Sequence, residues 1–154
     1  MEEQLALIQM LDEARTHMRD VVKKADQNQR IYPTWTMKQI LAHITGWDDA
    51  ALASLQAHSQ GEVPETPAER GIDDYNAQTV AERENLEYEH IVREWEGVRE
   101  LLKQAILNLP EEKFKQPFYL PWARLGTVSQ LVHIFAEHEK EHAEEINGLI
   151  TQGG

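Results

Sequence analysis

The side chains best suited to chemistry in this chain are histidines. Within TVSQLVHIFAEHEKEHAEEINGLI, residues 127–150, His138 and His142 stand four apart. A helix places such a pair one above the other on the same face. Taken in steps of three and four, Val128, Leu131, Phe135, His138, His142, Glu145 and Leu149 form the expected inward stripe of a bundle helix. Two turns of that stripe are imidazole where leucine is usual. A buried imidazole carries a polar nitrogen that is costly to leave unpaired, and one divalent metal satisfies two rings at once.

His43 is the expected third donor, because it sits between Ile40 and Trp47 on an apolar helical face. Three neutral imidazoles with open coordination positions suit zinc, nickel, cobalt or iron. Spacing alone leaves an alternative, in which these are core or groove histidines bonded to acids such as Glu141 and Glu145. The remaining four, His17, His58, His90 and His133, are expected at the surface or in a supporting layer. A di-iron carboxylate centre is a rival, since Glu87 with His90 and Glu139 with His142 both have the Glu-x-x-His spacing. It fails on the other helices: residues 37–58 contain no glutamate, and Glu87 and His90 miss the stripe of Tyr88 and Ile91.

Four main helices must hold these side chains. Residues 3–28 repeat apolar groups at Leu7, Leu11, Ala14, Met18, Val21 and Ala25, and residues 28–33 break that pattern. Thr36 as N-cap with Gln39 three residues on forms a capping box, and Trp35 with Ile40 fits a hydrophobic staple. The second helix runs to about His58, before a polar loop over 61–67 that holds two prolines. A shorter helix over 72–84, with Tyr75, Thr79 and Val80, is expected to pack across an end of the bundle. Residues 86–109 carry Tyr88, Ile91, Trp95, Val98, Leu102, Ala105 and Leu109 at inward spacing. The segment 110–126, with Phe118, Tyr119 and Trp122, is expected to fold over the bundle. Thr127 and Gln130 then repeat the capping box. The predicted fold class is all-α: a four-helix bundle with an extra short helix in the linker between helices two and three, as a single domain over 1–154. That linker is long enough for a crossover.

Composition narrows the function classes. A chain of 154 residues can bury a core in one domain. The absence of cysteine excludes disulfides, a thiolate nucleophile and cysteine-ligated metal, so any catalytic thiol must come from outside. Fifteen Lys plus Arg against 27 Asp plus Glu give a net charge of -12, which repels phosphate backbones, so no nucleic-acid partner is expected. There is no apolar run of about 18 residues for a membrane span, and the acidic start is unlike a secretory signal. The expected location is cytoplasmic, away from membranes.

Trp-Thr-Met-Lys-Gln-Ile-Leu-Ala-His-Ile-Thr-Gly-Trp at 35–47 and His-Glu-Lys-Glu-His-Ala-Glu-Glu-Ile at 138–146 resemble the two signature helices of the DinB/YfiT-like superfamily, and the likeness spans nearly the whole chain. The resemblance implies a four-helix bundle, often homodimeric, in which His43, His138 and His142 bind a divalent metal. Zinc or nickel is the implied ion, with iron, cobalt or manganese as alternatives. The superfamily includes bacillithiol S-transferases and mycothiol-dependent maleylpyruvate isomerases. The implied activity is thiol S-transfer or hydrolysis of a small electrophilic molecule, with a low-molecular-weight thiol as partner and a metal that lowers the pKa of bound thiol or water. Glu145, one turn beyond His142, is the candidate ligand-orienting group or proton acceptor, with a solvated or supporting acid as the alternative. Trp47, Phe118, Tyr119 and Trp122 are candidate pocket lining, with ordinary core packing as the alternative for each.

The Asp-Tyr-Asn segment at 74–76 and Leu-Pro-Trp at 120–122 are also similar to ClbS/DfsB-type bundles, some of which work without the metal triad. They imply the alternative of a non-catalytic bundle that binds or sequesters a small molecule. One departure stands out: transferase-like members often follow the last histidine with Arg-Gly-Gln, where this chain has Ala143, Glu144 and Glu145.

Overall fold

Both helices that carry the candidate histidines start on a capping box. The Thr36 N–H donates to Gln39 Oε1 at 2.8 Å while Gln39 N–H donates to Thr36 Oγ1 at 3.4 Å. Thr127 and Gln130 repeat the exchange at 2.9 and 3.3 Å. Each box satisfies two backbone donors that would otherwise lack partners at a helix start.

The computed structural model describes residues 1–26, 28–32 and 35–153. In chain order the elements are α1 (Glu2–Lys24), β1 (Arg30–Tyr32), β2 (Trp35–Thr36), α2 (Met37–Ser59), α3 (Ile72–Glu82), α4 (Tyr88–Asn108), α5 (Glu111–Lys115), β3 (Phe118–Tyr119), β4 (Leu125–Gly126) and α6 (Val128–Gly153). The fold is an all-α bundle of four long helices, with α3 in the linker between the second and third of them. Two antiparallel ribbons, β1 with β2 and β3 with β4, tie the connections down. Of the expected break over 28–33, Pro33 lies outside the described residues. Among the described residues no helix is long and apolar enough to cross a membrane.

The closest helix pairings are α1 with α6 and α2 with α4, whereas α2 and α6 touch more sparingly. Two apolar clusters fill the bundle. One is built on Leu7, Leu11, Leu55, Leu102, Ile106 and Leu131, the other on Met18, Met37, Ile40, Ile91, Trp95 and Ile146. Between them lies a charged layer with one residue from each long helix: Arg15 and Asp48 are 1% exposed, Arg99 and Glu139 2%. Glu139 Oε1 accepts from Arg15 Nε at 2.6 Å and Oε2 from Arg99 Nη2 at 2.6 Å. Asp48 accepts from Arg99 Nε and Nη2 at 3.0 and 3.1 Å and from Arg15 Nη2 at 3.2 Å. Two cations and two anions balance, which is what allows ionised groups to persist in an interior.

That layer overturns part of the sequence-based expectation. The buried line of α6 runs through Val128, Leu131, Val132, Ala136, Glu139, Ala143 and Ile146; it shares Val128 and Leu131 with the predicted stripe and lies one residue round from it beyond them. His138, Glu145 and Leu149 are not in the buried line: His138 is exposed, and His142 is half-buried. The interior position is Glu139, held there by two arginines. In α4 Ile91, Trp95 and Leu102 are buried as expected, as is Leu109 just after it, but Arg99 lies inside, and Val98 and Ala105 are half-buried. Helix α3 does not cross an end of the bundle. It lies along the middle of α2, where the Tyr75 hydroxyl donates to Gly46 O at 2.8 Å. Gly46 is required there, since a Cβ would stand 1.8 Å from Thr79 Oγ1. His58, expected near the surface, is 4% exposed and stacks on Phe118 with ring centroids 4.4 Å apart.

Candidate metal and ligand site

A cavity of about 450 Å³ opens where α2 and α6 part, with α3 as one wall. His43 reaches it from α2, and His138 and His142 from α6. His138 and His142 thus line the same cavity, and the pair sits on the flank of the buried line, where the cleft is. The His43 and His142 rings are 5.7 Å apart between centroids, and His138 and His142 6.3 Å. A similar-sized hollow, about 460 Å³ at residues 85–93, is lined mainly by exposed side chains and contains none of the three.

The His43 ring is packed against Trp35, centroids 5.0 Å apart, and its Nδ1 is buried without a hydrogen-bond partner. Burial pushes this imidazole down to about 4; His142 and His138 act in the same direction, and a hydrogen bond with Asn76 opposes them only in part. His142 is likewise lowered, by burial first and then by His138. Buried neutral imidazoles with an unused nitrogen are the donor form that metal ions take up.

Metal fit can be judged from the rings. Nitrogen–zinc bonds of about 2.0 to 2.1 Å at tetrahedral angles set imidazole centroids about 5 Å apart. The observed separations are about an ångström wider, and among the described residues no three His, Asp or Glu side chains stand in metal-holding geometry as placed. The donor set and the orphaned His43 Nδ1 fit an ion; its coordination requires the rings to turn toward one another.

Tyr32, which the sequence pattern does not single out, meets His142 Nδ1 with its hydroxyl at 3.0 Å. Burial is the largest influence raising the Tyr32 pKa, and the Glu145 carboxylate adds to it through charge and a hydrogen bond. When the Tyr32 hydroxyl donates to Glu145, its oxygen accepts from His142 Nδ1–H, which leaves Nε2 as the lone-pair nitrogen. Glu145 thus stands outside the cavity lining and touches the site through Tyr32.

Residues 138–142 also spell His-Glu-x-x-His, the helical pattern in which two histidines hold zinc and the glutamate serves as base. Here Glu139 is committed to Arg15 and Arg99, and those guanidiniums outweigh the upward push of burial to hold its carboxyl below the ordinary value. The rest of the lining is largely apolar: Trp35, Ile44, Trp47, Ile72, Trp122, Ile134 and Phe135. Trp47 Nε1–H donates to Asn76 Oδ1 at 2.6 Å, which locks the α3 wall to α2. Of the implied lining residues, Trp47 and Trp122 face the cavity, while Phe118 and Tyr119 belong to the β3–β4 ribbon away from it.

The sequence profile of the DinB superfamily matches residues 6–146. The chain belongs to the DinB superfamily. This DinB-superfamily chain is 28% identical over 126 residues to the uncharacterized protein YuaE of Bacillus subtilis (strain 168), covering 75% of this chain and 76% of YuaE. Its fold is similar to the crystal structure of the mycothiol-dependent maleylpyruvate isomerase, with a TM-score of 0.78 at 13% identity, and to a histidine-to-alanine mutant of that enzyme, with a TM-score of 0.76. Those matches cover 93% of this chain, which spans 60% of the isomerase chain. At that identity the likeness is one of fold.

Proposed function

We propose that this DinB-superfamily bundle is a metal-dependent enzyme, a thiol S-transferase or hydrolase acting on a small electrophilic molecule. The observation that carries the reading is the opening of His43, His138 and His142, from two helices, onto one cavity in which His43 Nδ1 is buried and unpartnered. These three side chains would hold a divalent ion, zinc or nickel first and iron, cobalt or manganese otherwise. When bound, the ion supplies a Lewis acid that lowers the pKa of a thiol or water at its open position.

The chain's own groups have separate tasks. Tyr32 and Glu145 orient His142 and set which of its nitrogens carries the proton. Trp35, Trp47 and Trp122 exclude water and hold the organic part of the substrate. Glu139 keeps α6 in register, and its charge is spent on the arginines rather than on proton transfer. The fold shared with the mycothiol-dependent isomerase supports a low-molecular-weight thiol as co-substrate, which a chain without cysteine would need. The same reading takes the protein as a cytoplasmic homodimer, and sedimentation of the purified chain checks its assembly state.

Metal analysis of protein purified without an affinity tag, beside a variant with His43, His138 and His142 all changed to alanine, tests the proposal. Bound metal in the parent and its loss in the variant are expected. Equal metal content in the two would sink it. A second reading, a non-catalytic bundle of ClbS/DfsB type that binds or sequesters a small molecule, draws support from the largely apolar lining and from the rings standing too far apart as placed. It predicts ligand binding without turnover that chelators leave intact.

A further inference from the structure

We infer that the cavity's own side chains, without a bound ion, take an uncharged, ring-bearing apolar molecule in preference to carboxylates and other anions. The inference rests on reading this cavity as the ligand site, and it specifies the charge class of what enters. Three tryptophans and a phenylalanine, Trp35, Trp47, Trp122 and Phe135, line the space. Trp47 and Trp122 meet edge to face at 6.1 Å, the arrangement that aromatic rings prefer. At the packing density of protein interiors about 450 Å³ accommodates a molecule of naphthalene size with room to spare.

The charge selection comes from Arg99, the only arginine or lysine on the lining among the described residues. Its Nε and Nη2 donate to Asp48 at 3.0 and 3.1 Å, Nη2 also to Glu139 at 2.6 Å, and Nη1 to Leu11 O at 3.5 Å. No nitrogen of the guanidinium is left over. The two carboxylates that occupy it, Asp48 and Glu139, lie on the same lining. An entering anion would meet a layer whose charges are already balanced, with Arg99 committed to Asp48 and Glu139 rather than free to pair with it. Burying a carboxylate without a partner is strongly unfavourable, and the net charge of -12 opposes its approach. Asn76, on the α3 wall, adds an uncharged polar side chain to the lining.

Binding of 2-naphthalenemethanol and 2-naphthoate to the full chain, followed by tryptophan fluorescence and calorimetry, tests this in the as-purified and the chelator-treated protein. The chelated arm removes any ion that could itself attract a carboxylate. In it the alcohol is expected to bind and the carboxylate to bind at least tenfold more weakly, on the order of one unit of log affinity. Trp47→Ala should weaken the alcohol at least about tenfold. Ile72→Lys, at a rim position 55% exposed and therefore tolerant of change, should narrow the gap between the two probes by supplying an unpaired cation. Equal or tighter binding of naphthoate by the chelated protein, no binding of the alcohol, or indifference to Trp47→Ala would overturn the inference. Because its readout is binding without metal, it can stand where the metal-enzyme reading fails, and fail where that reading stands.

Discussion

Replacing Glu139 by glutamine should cost this protein a large part of its stability. From α6, the Glu139 carboxylate bridges Arg15 and Arg99, with both contacts at 2.6 Å and all three side chains at 3% exposure or less. Glutamine keeps the shape and removes the charge. Two buried guanidiniums then face Asp48 and the part-exposed Glu96, which reaches Arg15 at 3.1 Å. Removing one partner of a buried ion pair costs about 3–5 kcal/mol because the other charge stays buried and uncompensated. Against a typical total of about 5–15 kcal/mol, that is roughly a fifth or more. The melting temperature should fall by roughly 10 °C, at about 2–4 °C per kcal/mol for a domain of this size. The assay is urea unfolding followed by far-UV circular dichroism. Arg19→Ala, which breaks the pair with Glu96 where the side chains are 41% and 37% exposed, serves as control and should cost under about 1 kcal/mol. Arg15→Met with Glu139→Met leaves the Arg99–Asp48 pair balanced, so the double variant should be at least about 2 kcal/mol more stable than the summed single losses. A Glu139→Gln loss below about 1 kcal/mol, or plain additivity in the double variant, would refute the charged layer as an interacting unit.

Three further outcomes are expected. In metal-free protein His43, lowered from 6.5 to about 4, stays neutral while the unfolded chain takes up a proton, so the folded state binds fewer protons across that window. Stability should therefore fall as pH drops from 6.5 toward 4, by up to roughly 3 kcal/mol, and unfolding curves across this range should lose that slope in His43→Ala. Gly46→Ala drives a Cβ to 1.8 Å from Thr79 Oγ1 and 2.6 Å from Thr79 Cβ, so it should destabilise by about 1–3 kcal/mol. Thr79→Ala should not rescue it, and a rescued melting temperature would mean that α3 sits elsewhere. Tyr32→Phe removes the hydroxyl 3.0 Å from His142 Nδ1 and should weaken metal binding about 10- to 100-fold in competition with a chelator while the melting temperature of the metal-free protein changes little. Unchanged metal affinity would leave Tyr32 without a positioning role.

Signals carried by neighbouring residues are legible in the sequence. The capping boxes at Thr36 and Thr127 need only four consecutive residues, and both form. The α1 line of Leu7, Leu11, Ala14, Met18 and Val21 is legible because each member is apolar, although nothing in the pattern marks Arg15 beside Ala14. Helices α4 and α6 are read correctly at Ile91, Trp95, Leu102, Leu109, Val128 and Leu131, and they slip by one residue around two buried charges. Arg99 and Glu139 occupy interior positions, and a pattern built on apolar residues steps round a buried charge to the nearest hydrophobe or histidine. Nothing local marks Glu139 as buried, since its partners lie 124 and 40 residues away. Tyr32 is hidden in the same way, 110 residues from His142, and His58 owes its burial to Phe118 on a later ribbon. The cavity's histidines are legible nevertheless, because four-residue spacing on a helix fixes a shared direction even when the phase of the buried line is misjudged.

Helix α3 sends one buried residue, Thr79, into the interior, yet it supplies Ile72 and Asn76 to the cavity. The residues that keep the bundle folded and those that shape this wall are nearly disjoint sets. A redesign of the exposed positions in 72–82 can alter what the cavity admits while leaving the four long helices as they are. In engineering terms α3 is an interchangeable panel on a fixed frame, fastened along one seam at Gly46.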